Sequence, residues 1–156
     1  MDVEALLRKL DDDAPCAPTA TGYWAAWPDL DVRAMARLMR ENVVRLVTIT
    51  AVPEAGDALR IIYHWDADGE LLNLSTTVMS GHVPTISDIV PGADWVEREI
   101  HDYYGLEFDG RSTTPPLMLR EGDPPGLFAR TRQQGNEADP ARTAHAAIAV
   151  EEGEPR

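Results

Sequence analysis

Residues 43–78 read VVRLVTITAVPEAGDALRIIYHWDADGELLNLSTTV. Alternation with a period of two runs through most of this stretch. Val43, Val47, Ile49 and Ala51 fall on one side of the first segment, and Val44, Leu46, Thr48 and Thr50 on the other. PEAGD makes a turn. Leu59, Ile61, Tyr63 and Trp65 then alternate with Arg60, Ile62 and His64. DADG, residues 66–69, is a tight-turn signal, because Gly69 tolerates the positive φ of a short hairpin loop. In the last segment Leu72, Leu74, Thr76 and Val78 share a face. Strands joined by short turns, each with one apolar face, predict an antiparallel meander buried on one side.

Working outward, the period changes to that of a helix. Before the meander, Leu30, Met35, Leu38, Met39 and Val43 recur at helical spacing, Asp31 sits where the helix would start, and Asn42 suits its end. After the meander, SGHVPTISDIVPG is a loop with a helical turn expected near residues 86–89, and ADWVEREIHDYYG, residues 93–105, is a helix of about three turns. LEFDG, residues 106–110, can add a short strand. The fold class is therefore α+β: a meander of three to four strands packed on helices, followed by an irregular C-terminal extension.

The organisation expected is one domain over residues 1–130. It comprises an amphipathic helix at 2–10 carrying Val3, Leu6, Leu7 and Leu10, a core at 31–110, and a proline-rich extension at 111–130. Trp24 and Trp27 are expected to cover the meander, and Trp65 to lie in the core. Leu117, Met118, Leu119, Leu127 and Phe128 look like apolar anchors. Residues 131–156 hold no aromatic side chain and are expected to be disordered or ordered only by a partner.

The chain has 156 residues and a formal net charge of -13, which argues against binding nucleic acid or an anionic membrane surface. No apolar run is long enough to cross a bilayer, and the acidic, amphipathic start does not look like a secretory signal. The single cysteine, Cys16, has no internal disulfide partner, which fits a reducing compartment.

The helix at 93–105 concentrates the chemistry. Asp94 is expected to cap it, with Glu97 completing a capping box, and Gly105 to end it. At about 100° per residue, Trp95, Val96, Ile100, Tyr103 and Tyr104 form an apolar arc, with Glu97, Arg98 and His101 opposite. Asp94, Arg98 and Asp102 can form a ladder of opposite charges. Glu99 falls inside the arc between Trp95 and Tyr103, and Asp102 at its edge. A carboxylate in that position needs a partner, either a loop of its own domain or another chain.

These residues resemble a known signature. Pro84 and Thr85, then Ala93, Trp95, Glu97, Arg98 and Glu99, then Asp102, Tyr104 and Gly105 follow the pattern of the C-subunit family of respiratory complex I, the NADH:quinone oxidoreductases. The related subunit of membrane-bound hydrogenases of the energy-converting and formate hydrogenlyase type carries the same module. The resemblance covers residues 31–110 well and extends to about 130. It implies a non-catalytic subunit of the cytoplasmic arm, with no catalytic residue, cofactor or metal of its own. It also implies packing against a hydrogenase-like large subunit in a complex with iron–sulfur subunits, and attachment to the membrane only through that complex. Trp95, Glu97, Arg98, Glu99, Asp102, Tyr104 and Gly105 are then its interface and signature residues.

Two other readings compete. Glu97 and His101 are one turn apart, with Glu99, Asp102 and His82 near in sequence, so a small metal-dependent enzyme can be sketched. Against it stand the absence of HExxH, of a phosphate-binding glycine loop and of a nucleophile elbow. The third reading is a generic protein-interaction module using the Glu-Arg-Glu helix.

Overall fold

The computed structural model describes residues 2–11 and 16–128. The expected tail at 131–156 lies outside the described residues. The elements run α1 Val3–Leu7, β1 Ala17–Thr19, β2 Gly22–Ala26, α2 Val32–Glu41, β3 Arg45–Pro53, β4 Leu59–Ala67, β5 Glu70–Val78, β6 His82–Pro84, α3 Ala93–Tyr104 and β7 Glu107–Asp109.

The meander forms as expected from β3, β4 and β5, all antiparallel. Asp68 and Gly69 both take positive φ, 56° and 90°, in the two-residue turn between Ala67 and Glu70. Gly69 N–H also donates to Asp66 Oδ1 at 2.8 Å. The inward face carries Ile61, Tyr63, Trp65, Leu72 and Leu74, none of it exposed. Against it pack Met35, Ala36 and Met39 of α2, Val3, Leu6 and Leu7 of α1, and Ile100 of α3. Burying each large apolar side chain contributes about 1.5–3 kcal/mol. The helix expected at 2–10 is shorter, Val3–Leu7, with Asp2 Oδ1 capping Ala5 N–H at 3.0 Å.

Two features depart from simple alternation. The first is a register shift in β3 between Leu46 and Thr48. Leu46 pairs with Trp65 and Ile49 with Tyr63, so both face the core although they lie three residues apart. Val47 is the extra residue and is exposed. The grouping of Val47 with Ile49, and of Leu46 with Thr48, is thus corrected by a bulge, which reverses side-chain parity.

The second is a pair of strands from the segment before α2. The five-stranded sheet has the order β1-β2-β5-β4-β3, with β2 parallel to β5. Trp24 therefore lies within the sheet, on β2 between β1 and β5, rather than over the meander, while Trp27 packs against the core and donates from Nε1 to Asp11 Oδ2 at 3.0 Å. A polar chain crosses four strands: Thr50 Oγ1 to His64 Nε2 at 3.0 Å, His64 Nδ1 to Asn73 Oδ1 at 2.6 Å, and Asn73 Nδ2 donating to Tyr23 O at 3.2 Å. Among the described residues no helix is long and apolar enough to cross a membrane.

Helix α2 begins as its sequence predicts. Asp31 Oδ1 accepts from Arg33 N and Ala34 N at 3.1 and 2.9 Å. Its end is a Schellman turn around Asn42: Val43 N–H donates to Arg40 O and Val44 N–H to Met39 O. The turn places Val43 at φ 60°, where a β-branched side chain is strained, and leaves it 88% exposed. Val43→Gly is expected to stabilise the isolated chain by about 1 kcal/mol, because the strain is removed and no buried contact is lost. Urea unfolding at fixed pH checks this; an unchanged or lower midpoint would show that the left-handed turn costs nothing here.

Candidate functional site

Helix α3 is rotated from the arrangement that its wheel predicts. Its buried positions are Ala93, Glu97, Ile100, His101 and Asp102, and Trp95 is 68% exposed. The wheel turns the polar side to water and the aromatic arc to the core, because burying a lone carboxylate is costly. It carries no information on the surrounding loops, which supply donors for each buried carboxylate.

Glu97 is the centre of this arrangement and is only 1% exposed. Its Oε1 accepts from Ile86 N–H at 2.8 Å. Its Oε2 accepts from the Thr85 hydroxyl at 2.5 Å and from Arg111 Nη1 at 2.9 Å. The Pro84–Thr85 entry is held in place by β6, which pairs in parallel with β7, and Thr85 N–H donates to Asp109 O at 2.8 Å. The short strand expected at LEFDG is thus β7, and its partner is the entry to the loop. Arg111, just past β7, reaches back to Asp94 Oδ1 at 2.5 Å and to Ser87 Oγ at 3.3 Å. Burial alone would lower the pKa of its guanidinium, but the bonds to Asp94 and Glu97 outweigh that and raise it.

The expected capping box is absent. Gly92 occupies the N-cap without a side-chain bond, and Asp94 faces Arg111 and Arg98 instead. A carboxylate in the first turn is also favoured there by the helix dipole. Gly105 ends the helix as expected, at φ 71°.

The other side of α3 holds the proline-rich extension. Arg98 donates from Nε to Pro115 O at 3.0 Å and from Nη2 to Pro116 O at 3.1 Å. Asp102 Oδ2 accepts three consecutive backbone N–H groups, of Leu117, Met118 and Leu119, at 2.8, 2.7 and 3.2 Å. Burial pushes the Asp102 carboxyl up, yet those three donors together hold it below the usual carboxylate range. Gly126 N–H donates to Asp102 O at 2.9 Å. Phe128 then stacks on Tyr103, with ring centroids 4.5 Å apart, and meets Tyr104 edge-on at 5.7 Å.

The remaining candidates are occupied or separate. His101 Nδ1 donates to Leu106 O at 3.1 Å, and His82 Nδ1 faces Asp109 at 3.1 Å. The metal set sketched from Glu97, Glu99, His101, Asp102 and His82 does not converge: among the described residues no three His, Cys, Asp or Glu side chains form a group able to hold an ion. Glu99, expected inside the apolar arc, is partly exposed, and its carboxylate makes no hydrogen bond or ion pair among the described residues. The carboxylate that ties down a loop of its own domain is Glu97.

Sequence reasoning missed Arg111, Ser87 and Arg33. Arg33 bonds Thr85 O at 2.6 Å and Asp88 at 2.8 and 2.7 Å, fixing the entry loop to α2. Nothing in the spacing of Arg33 marks this. Arg111 did leave a trace: it is the basic residue nearest after the helix, and a buried carboxylate requires a counter-charge.

Residues 25–127 match the family described as respiratory-chain NADH dehydrogenase, 30 Kd subunit. The C subunit of NADH-quinone oxidoreductase from Sinorhizobium medicae is 31% identical over 98 residues, covering 57% of this chain and 49% of that protein. The second C/D subunit of NADH-quinone oxidoreductase from Aquifex aeolicus is 28% identical over 88 residues, covering 53% of this chain and 15% of that protein. The chain thus spans half or less of the length of these curated relatives. A solved structure of Nqo5, its trypsin-resistant fragment (1-134), matches with a TM-score of 0.59 and 21% identity, covering 75% of this chain and all of that one. At that identity the likeness shows the fold.

Glu97→Ala is expected to cost about 3–5 kcal/mol, because it leaves the buried Ile86 N–H without its acceptor and takes from Arg111 one of its two carboxylates. Glu99→Ala is expected to stay within about 0.5 kcal/mol. Urea unfolding of both variants checks the assignment; equal costs would restore the rotation expected from the wheel. Asp102 adds a pH dependence. Its carboxyl is lowered in the folded chain, so its contribution is complete above the unfolded value of about 4 and is lost as pH falls through the folded value. Asp102→Asn should flatten the acid limb of the stability curve below about pH 4, as read by thermal midpoints across pH.

Proposed function

The chain belongs to the respiratory-chain NADH dehydrogenase 30 Kd subunit family, and on that premise we propose that it is a non-catalytic, structural subunit of an NADH-quinone oxidoreductase. One observation carries this reading. The acidic and basic side chains Glu97, Arg98 and Asp102 that make α3 look like a catalytic helix are consumed inside the domain, on Thr85, Ile86, Arg111 and the backbone of 115–119. What the helix leaves most exposed is Trp95, with Glu99 partly exposed one turn on, and the extension adds Met118 and Phe128. A domain that spends its polar groups on its own loops and presents apolar surface is suited to docking.

The partner proposed is the large subunit, the D-type neighbour that the resemblance describes as hydrogenase-like. Support comes from relatives in which one polypeptide is named for the C and the D subunits together. Joining of the two in one polypeptide is what neighbouring subunits allow, and it supports this choice of partner. Iron–sulfur subunits of the same complex are proposed as further neighbours, and attachment to the membrane as indirect, through the complex. The relatives' names favour the quinone-reducing branch over the hydrogenase branch.

Purification of the tagged chain from detergent-solubilised membranes of its source, followed by mass spectrometry, tests the proposal. The expected result is co-purification of a D-type large subunit with iron–sulfur subunits and NADH:quinone activity. Recovery of the chain alone and monodisperse would overturn it.

A further inference from the structure

Large exposed apolar side chains elsewhere on the molecule are scattered. Val47 and Val52 lie on the edge strand β3, and Met79 lies past the end of β5. Single exposed apolar residues of that kind are ordinary. Along α3 they gather. Trp95 is 68% exposed, Met118 55% and Phe128 43%.

Trp95, Glu99 and Tyr103 form one row along a flank of α3, and internal bonds tie Met118 and Phe128 to the same helix. Asp102 and Arg98 hold the 115–119 segment against the helix, which lays Met118 there. The Tyr103 stack lays Phe128 there. Glu99 lies one turn after Trp95 and one turn before Tyr103, so the helix places it among these groups. It is a carboxylate without a partner among the described residues, set in apolar surroundings.

We infer that this flank is the contact surface for a partner subunit that inserts a basic side chain at Glu99, between Trp95 and the Tyr103–Phe128 stack. The inference rests on the docking reading above and specifies its surface. An arginine fits the geometry best. Its planar guanidinium can donate to both oxygens of the Glu99 carboxylate while lying on an aromatic face. Closing apolar side chains around the pair excludes water and strengthens it. A net charge of -13 steers a basic partner surface toward the chain over long range. A second copy of this chain is disfavoured by the same charge.

The test uses the assembled complex. A benzophenone amino acid is placed at Trp95 in the tagged chain, with Thr21 on the β1–β2 turn as the control position. The complex is purified, irradiated and the cross-linked peptides are identified. The expected result is a cross-link from position 95, and none from position 21, to a partner peptide that carries Arg or Lys. Glu99→Gln should lower recovery of that partner by about tenfold or more, and Glu99→Arg further, while the thermal midpoint of the isolated variants is unchanged. Cross-links only to residues 129–156 of the same chain, to a peptide without a basic residue, or none in an intact complex would overturn this inference and leave the docking reading standing. If no partner co-purifies with the unsubstituted chain, the docking reading fails and this inference fails with it.

Discussion

The buried carboxylate of Glu97 is the constraint on which the arrangement around α3 depends. An isolated charge at that depth would cost several kcal/mol, and the surrounding chain is organised to avoid this. One oxygen takes the Ile86 N–H, and the other takes the Thr85 hydroxyl and Arg111. Those three donors belong to segments on either side of α3 in the chain. Satisfying one carboxylate therefore fixes the entry loop, the helix and the beginning of the extension relative to each other. The parallel pairing of β6 with β7 follows the same logic, since it closes a loop whose two ends both meet at Glu97.

The meander was legible because its information is local. Alternation, a turn with Asp68 and Gly69, and the change of period at either end depend on residues close in sequence. The start and end of α2 were legible for the same reason, as were the short strand at LEFDG and the end of α3 at Gly105. What could not be read was non-local. The parallel alignment of β2 with β5 joins residues about fifty apart, through bonds such as Asn73 Nδ2 to Tyr23 O. The bulge in β3 reverses parity at one residue, Val47, whose side chain is as apolar as its neighbours'.

The rotation of α3 is the most instructive departure. Helical wheels sort residues by how each behaves alone in water or in a core. Val96, Ile100 and Tyr104 of the arc still pack on the core, but the sorting shifts at Trp95, Glu97 and Asp102 for a physical reason: Thr85, the Ile86 amide, Arg111 and the 117–119 amides convert costly burial into strong, charge-assisted bonds. Glu97, Arg98 and Asp102 could be picked out as candidates by type and spacing, but their orientation could not, because among the described residues every donor the two carboxylates use lies outside the helix.

The same shift explains why a short helix holds so many charges beside so many rings. If the charges faced water and the rings faced the sheet, α3 would be an ordinary amphipathic helix with nothing left to offer. With Glu97 and Asp102 turned inward, the domain gains rigid loops without relying on apolar packing at those positions. Trp95 is released to the surface, and Phe128 is brought onto Tyr103, two turns along the helix, by the extension that Asp102 and Arg98 hold. The polar network and the outward aromatic flank are thus two results of one choice of helix rotation. A change that rotated the helix to bury Trp95 would strand Arg111 and dismantle the flank at the same time.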